Sequence, residues 1–421
     1  MNPHKPDKIT VYEHETLRVD RGEKKLTDDM LLKLQTYYGE KGVPYFSLVH
    51  NGVKFCEYVG VIQIGSLLIE ILPKADKKEA NEDNWRKVLI SMLRAVGVFD
   101  IQAPSSSTLK LKSNSILELY FEIFLNQVEY LVHRGLTKKY RQTEGNVLAL
   151  KGAIQVGKHL SHNLTHQERF YTKYTVYSLD HTLHQIIYQT LLLLKNINTN
   201  QSLNGKISNL LLFFPEVSIC KISENTFDKI QFTRKDDGYR NAINIAKLLL
   251  LNFHPDVTSG KNDVLAIMFD MNLLWEKFVF VSLSKGLKAN GYSVTAQTSK
   301  SFWQRSNGGK TSIRPDIVVS GTGKKVVLDT KWKNLSGYKP SSDDLRQMYV
   351  YHEYYNSSKV ALLYPGTSSD SIHGIFLNPH DGKPGEMECS ILPIAVILDI
   401  NEWQKMIVRQ FLDWFKTEEA A

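Results

Sequence analysis

Residues 314–333 read RPDIVVSGTGKKVVLDTKWK. Two β-branched runs, Ile317-Val318-Val319 and Val326-Val327-Leu328, flank Ser320-Gly321-Thr322-Gly323. β-Branched residues suit a pleated, half-buried surface and the glycine-rich tetrapeptide is turn chemistry, so the stretch predicts a β-hairpin. A turn centred on Thr322-Gly323 sets the register. Asp316 then falls directly opposite Asp329, with Cβ atoms about 5 Å apart on one face. Side chains alternate along a strand, so Lys331 shares the face of Asp329. A slip of one residue would break the arrangement.

Two carboxylates this close repel, and burying both is costly unless a cation joins them. A hard divalent ion such as Mg2+ takes oxygen ligands, keeps several waters and binds phosphate. It lowers the pKa of a bound water and polarises a phosphoryl oxygen. A lysine two residues on orients that water or steadies charge in the transition state. Asp-x-Lys alone is a weak signal, since Asp76-Lys77-Lys78 and Asp381-Gly382-Lys383 also carry it. Neither of those has an apolar strand leading in or a matched upstream aspartate. Residues 316–331 combine all three features and predict a metal-dependent phosphodiesterase site, with Asp316 and Asp329 as metal ligands.

Charge points to the same place. The chain has 52 basic and 44 acidic residues, a net of +8. Residues 281–340 alone hold eleven basic residues against Asp316 and Asp329, a net of +9. A basic field around two isolated carboxylates suits a polyanion, with nucleic acid first. Arg305, Lys310, Arg314 and Lys333 are the residues expected to meet DNA. Tyr292, Phe302, Trp303, Trp332 and Tyr338 are interleaved and able to stack or pack; for Trp332 a core position is expected.

At 421 residues, two or three domains are expected. Nothing is apolar for long enough to span a bilayer, and MNPHKPDKITVYEHETLRVD lacks a signal-peptide core. Cys56, Cys220 and Cys389 are too scattered for a disulfide framework or a zinc cluster, so a reducing cytoplasm is the expected setting. Residues 1–75 read as β-rich, with two strands around Gly65-Ser66. Residues 85–253 read as mainly helical, with helices over 85–96, 115–133, 180–196 and 240–253. A boundary is suggested near 254–266 by His254-Pro255 and the polar run that follows. The expectation is an α+β N-terminal region, 1–265, followed by an α/β unit, 266–421. The second unit reads as a helix from Asp270, strands near 291–297, 313–319 and 325–332, a helix over 343–355, later strands over 360–363 and 374–377, and a closing helix over 401–416.

Two decoys are set aside. Gly152 to Lys158 fits G-x-x-x-x-G-K, but His159 follows where a phosphate loop needs Ser or Thr for Mg2+. That segment reads as a strand over 152–156, so any GTP belongs to a partner. His159, His162 and His166 have metal-ligand spacing, yet Asn163, Thr165 and Gln167 around them read as a solvated face.

With these residues in place, 266–421 resembles the restriction-endonuclease-like PD-(D/E)xK nuclease superfamily. The resemblance carries over as Asp316, Asp329 and Lys331, with Glu276 on the first helix as an extra metal ligand or supporting carboxylate. It also carries over as Gln347 and Tyr351, the Gln-x-x-x-Tyr of the following helix. More narrowly, most of the chain resembles the McrC family, nuclease subunits of methylcytosine-dependent restriction systems. The matching residues include Val59-Gly60-Val61-Ile62, Leu68 to Lys74, Arg134-Gly135-Leu136, Tyr140, Leu150-Lys151-Gly152 and the helix start Asp270-Met271-Asn272 with Leu274-Trp275-Glu276. That resemblance implies a Mg2+-dependent endonuclease acting on double-stranded DNA. It also implies an McrB-like AAA+ GTPase partner, bound through the N-terminal half, whose hydrolysis this chain stimulates. Two other readings stay open. A non-catalytic regulator of an AAA+ NTPase would stimulate without nicking; a stand-alone nuclease would cut without partner or nucleotide.

Overall fold

Tyr58–Ile64 and Leu67–Leu72 are apolar on both faces and buried along almost their whole length, as befits strands covered from two sides. They pair antiparallel across the Gly65-Ser66 turn, from Gly60 opposite Ile71 to Ile64 opposite Leu67. Asp7–Tyr12 adds a parallel strand alongside Leu67–Leu72. The Glu82–Ala95 helix packs on Leu67–Leu72. Asn81 caps it, its side chain accepting from the Asp83 and Asn84 amides. The one charge inside this layer is Glu70, and Arg86 of the helix meets it with a two-pronged contact, Nε to Oε1 at 3.0 Å and Nη2 to Oε2 at 2.6 Å.

The computed structural model describes residues 7–74, 81–97, 115–254, 263–321, 323–333, 339–366 and 370–416. Asp76, Thr322, Tyr338 and most of the expected boundary at 254–266 lie outside the described residues. The chain divides into two compact units, one made of Met1–Pro6 with Ile101–Ile267, the other of Asp7–Asp100 with Met268–Ala421. The seam at 267/268 falls inside the strand Val264–Asp270. The β-rich stretch expected to belong with the helices thus groups with the C-terminal stretch instead. The reason is packing over long sequence distance: Glu82–Ala95 lies against the Met271–Leu287 helix and the Ile400–Lys416 helix. Hydrophobic periodicity reveals an apolar face but not which element covers it.

In the first unit, Ile116–Arg134, Thr182–Ile197, Gln201–Phe213 and Arg240–Leu251 pack on one another. A long ribbon, Lys139–Val147 with Phe170–Ser178, runs in unbroken antiparallel register from Lys139 opposite Ser178 to Val147 opposite Phe170. The strand expected over 152–156 is shorter, Ala153–Ile154, and a helix starts at Val156. Lys158 on that helix pairs with Glu144, and His159 Nδ1 accepts from the Tyr171 amide at 3.2 Å. These groups tie helix to ribbon.

The second unit also holds a six-stranded sheet in the order Ser293–Ala296, Ile317–Gly321, Lys324–Thr330, Lys359–Gly366, Pro384–Ala395, Ile375–Leu377. The first three form an antiparallel meander. The next two continue it in parallel, so the Ser342–Tyr355 helix serves as the crossover that parallel neighbours require. Val318 and Val327 face that helix and pack with Met348, Tyr351, Tyr355, Val360 and Leu362. The Met271–Leu287 helix packs on Lys324–Thr330 and Ser293–Ala296. The strand expected over 313–319 is broken by Arg314-Pro315-Asp316 into Lys310–Ile313 and Ile317–Gly321. Proline cannot donate to a ladder and commonly marks such a break. Lys310–Ile313 pairs instead with Lys300–Gln304 as a separate ribbon.

Candidate active site

The meander delivers the paired carboxylates. Ile317 lies opposite Leu328 and Gly321 opposite Lys324, the register that a turn centred on Thr322-Gly323 dictates. Extended by one residue, it sets Asp316 across from Asp329. Asp316 is held by its neighbour on the other strand, its Oδ2 accepting from Thr330 N at 2.7 Å and Thr330 Oγ1 at 2.8 Å. Asp329 is only 1% exposed. Its Oδ2 lies 2.8 Å from Lys331 Nζ. The Lys331 amide donates to Leu363 O on the neighbouring parallel strand at 2.9 Å, which fixes the backbone from which the ammonium reaches back.

The crossover helix completes the arrangement. Lys331 Nζ donates to Gln347 Oε1 at 3.4 Å, Gln347 Nε2 to Tyr351 Oη at 2.8 Å, and Tyr351 Oη to Arg314 O at 3.0 Å. The four-residue spacing of Gln347 and Tyr351 puts both on one helical face. This relay ends two residues before Asp316. On the other side, Gln297 Nε2 donates to Glu276 Oε1 at 2.8 Å while the Gln297 amide donates to Asp316 O at 2.9 Å.

The electrostatics follow from burial and crowding. Burial and then the charge of Asp316 push the Asp329 carboxyl well above the usual carboxylate range, against the pull of Lys331. Burial and Asp316 likewise raise Glu276, opposed by the Gln297 hydrogen bond. Burial draws the Lys331 ammonium down, but Asp329 beside it outweighs that and the net shift is upward. Lys331 therefore stays protonated at neutral pH and donates rather than abstracts. A buried carboxylate, Asp329, crowded by a half-buried one, Asp316, is the oxygen donor chemistry that suits a hard divalent cation such as Mg2+.

Glu276 lies close enough to feel the charge of Asp316. Among the described residues no three acidic, histidine or cysteine side chains converge as a metal-binding group. Gln297 engages one oxygen of Glu276, whose charge adds to the negative field beside Asp316. Of the residues expected to meet DNA, Arg305, Lys310 and Arg314 are exposed. Lys333 is exposed as well, and its ammonium lies 2.7 Å from Asp344 Oδ2. Trp332 is a core residue, as its setting suggested; its Nε1 donates to Glu13 Oε1 at 2.7 Å and its ring meets Trp275 edge-on. Sequence reasoning missed Thr330, Gln297 and Asp344. Thr330 had a signal, lying between the two motif residues with both a hydroxyl and an amide to offer; Gln297 and Asp344 had none.

Comparison with known proteins adds an independent line. Residues 53–365 match the model of a family described as McrBC 5-methylcytosine restriction system component. A chain in the refined half-complex from the tetradecameric assembly of Thermococcus gammatolerans McrB AAA+ hexamers with bound McrC is similar in structure. It has a TM-score of 0.73 at 21% identity, covering 97% of this chain and 100% of that one. A chain of the cryo-EM structure of the Thermococcus gammatolerans McrBC complex has a TM-score of 0.48 at 21% identity, covering 66% of this chain and 88% of that one. No curated protein matches the sequence. Among the described residues no helix is long and apolar enough to cross a membrane.

Proposed function

This chain belongs to the McrBC 5-methylcytosine restriction system component family, and on that premise we propose that it is a Mg2+-dependent endonuclease subunit that cuts double-stranded DNA under the control of an AAA+ GTPase partner. The observation that carries the reading is the convergence of Asp316, Asp329 and Lys331 at the end of one meander, with Asp329 buried and its carboxyl pushed upward. A restriction-endonuclease-like PD-(D/E)xK core, with its helix, meander, crossover helix and further strand, is the architecture we assign to residues 268–421.

Asp316 and Asp329 would hold the ion, with waters and a substrate phosphate filling the other positions. When bound, Mg2+ supplies a Lewis acid for the scissile phosphate and a more acidic water. Thr330 keeps the Asp316 carboxylate aimed by two hydrogen bonds. Lys331, held between Asp329 and Gln347, donates to the attacking water and offsets charge on the phosphoryl oxygens as it builds. The water oxygen bonds to phosphorus and releases one proton to solvent, the bond to the leaving sugar oxygen breaks, and that oxygen takes up a proton from solvent. Glu276, Gln297 and Tyr351 set the positions of these groups without touching the phosphate. The partner binds and hydrolyses GTP; no phosphate loop is present at 152–158, where Lys158 pairs with Glu144 on a helix. The same kind of assembly is named for the Thermococcus gammatolerans protein, an McrC bound to McrB AAA+ hexamers.

The test is plasmid cleavage with Mg2+ and GTP, with and without the AAA+ partner, on methylated and unmethylated DNA. Cleavage confined to partner, nucleotide and methylation supports the reading. Asp329→Ala should then abolish cutting while leaving stimulation of partner GTP hydrolysis intact. Loss of both at once would sink the division of labour, and cleavage by the chain alone would make it an independent nuclease.

A further inference from the structure

The ribbon Lys300–Gln304/Lys310–Ile313 was not anticipated and is not used by the chemistry above. Every residue from Lys300 to Ser312 is exposed. Between Glu276 and Asp316 the chain has no acidic residue, and the ribbon with its following residue carries Lys300, Arg305, Lys310 and Arg314. Trp303 stands 54% exposed and Phe302 41%. Exposed large aromatics in a purely cationic setting are unusual for a solubilising surface. The register shifts between Ser301 and Trp303, so Phe302 is the extra residue of a β-bulge, a device that re-aims side chains and is frequent beside active sites.

The base of the ribbon is anchored to the helix that also carries Gln347 and Tyr351 of the site. Tyr355 Oη lies 2.5 Å from Thr298 O and 3.2 Å from Ile313 O, its one proton shared between the carbonyls of both legs. Lys300 Nζ donates to Tyr354 O at 2.7 Å and lies over the Tyr355 ring, and Phe302 packs on Tyr354 with ring centroids 5.1 Å apart. Just below, Gln297 touches Glu276 and Asp316, and Tyr351 holds Arg314. From that base, strands of five and four residues reach roughly 13–16 Å outward. A two-stranded ribbon fits a groove of duplex DNA roughly 12 Å wide.

We propose that this ribbon lies in a groove of the duplex next to the scissile phosphate, with Arg305 and Lys310 on backbone phosphates and Trp303 set as an apolar wedge against the base stack. The proposal rests on the nuclease reading and deepens it. Duplex DNA is favoured over a protein partner because the ribbon is cationic with no acidic residue and springs directly from the residues flanking Asp316. Proteins that distort DNA use the same pairing of phosphate-binding cations and an inserted apolar side chain.

The test uses the full chain carrying Asp329→Asn, so that DNA stays intact, and a 30-base-pair duplex with 2-aminopurine at successive positions. Anisotropy gives affinity at several salt concentrations and 2-aminopurine emission reports unstacking. Arg305→Ala/Lys310→Ala should weaken binding at low salt at least tenfold and lower the salt slope by about 2. Trp303→Ala should cost about tenfold in affinity and remove the emission rise, while Trp303→Phe should restore part of both. Unchanged melting temperatures would exclude misfolding. If these variants bind duplex like their parent, the proposal fails; loss of stimulation of the AAA+ partner alone would reassign the ribbon to protein contact. The nuclease reading fails separately, through absent cleavage by the protein with Asp329 intact, which leaves the binding data interpretable.

Discussion

Glu70 and Asp329 are both buried carboxylates on β-strands of the same compact unit, and their surroundings are opposite. Glu70 is fully enclosed, yet Arg86 takes both of its oxygens. Asp329 is nearly as enclosed, but the cation beside it among the described residues, Lys331, must offset a second carboxylate as well. A buried charge with matched partners belongs to the fold. A buried charge left crowded by its own kind marks a place where something else is to be bound.

Substituting each carboxylate sharpens that contrast. Asp329→Asn should lower DNA cleavage on the order of 10^3-fold. Because the native environment disfavours the charged form, its melting temperature in EDTA at pH 8 should hold or rise. Glu70→Ala should do the reverse, removing the buried partner of Arg86 and leaving it the exposed Asp83, at a cost of about 3 kcal/mol of stability. Urea unfolding checks both; a destabilised Asp329→Asn or a tolerated Glu70→Ala would erase the distinction.

Glu13 offers an intermediate case. Burial pushes its carboxyl up to about 7, against hydrogen bonds from the Lys74 amide and Trp332. The folded state thus holds a proton between pH 4.5 and 7 that the unfolded chain has released. Its contribution is full below pH 4.5 and declines as the pH rises to 7. Glu13→Gln keeps the oxygen that accepts from both donors, and should flatten that decline, by about 3 kcal/mol across the window. Unfolding midpoints of the two proteins at pH 5 and 7.5 measure it; parallel curves would show that Glu13 is ionised throughout. The smallest effect expected is Gln347→Ala, which frees the Lys331 ammonium on one side and should slow cleavage about tenfold with binding of duplex unchanged. A loss as large as that of Asp329→Asn would promote Gln347 to direct contact with the phosphate.

How much of this was legible depended on the range of the interaction. The hairpin register, the pairing of Asp316 with Asp329 and the return of Lys331 were readable because turn chemistry and two-residue alternation act within about fifteen residues. Helices such as Ile116–Arg134 were readable from apolar periodicity. The engagement of Lys333 by Asp344 and of Glu276 by Gln297 was not, since each depends on where a separate element docks. The exposed ribbon was hidden for another reason. Its strands carry no apolar alternation, because no core covers them and their base is held by Tyr355 instead.

The sequence by itself determined the 317–330 hairpin, its register and the carboxylate pair, all products of local sterics and side-chain period. Only the tertiary structure decided that residues 7–100 join 268–421, since an apolar face is satisfied by whichever surface packs best regardless of chain distance. It also decided which charges stay free to act, because pairing is settled by three-dimensional proximity of groups that one-dimensional spacing does not encode.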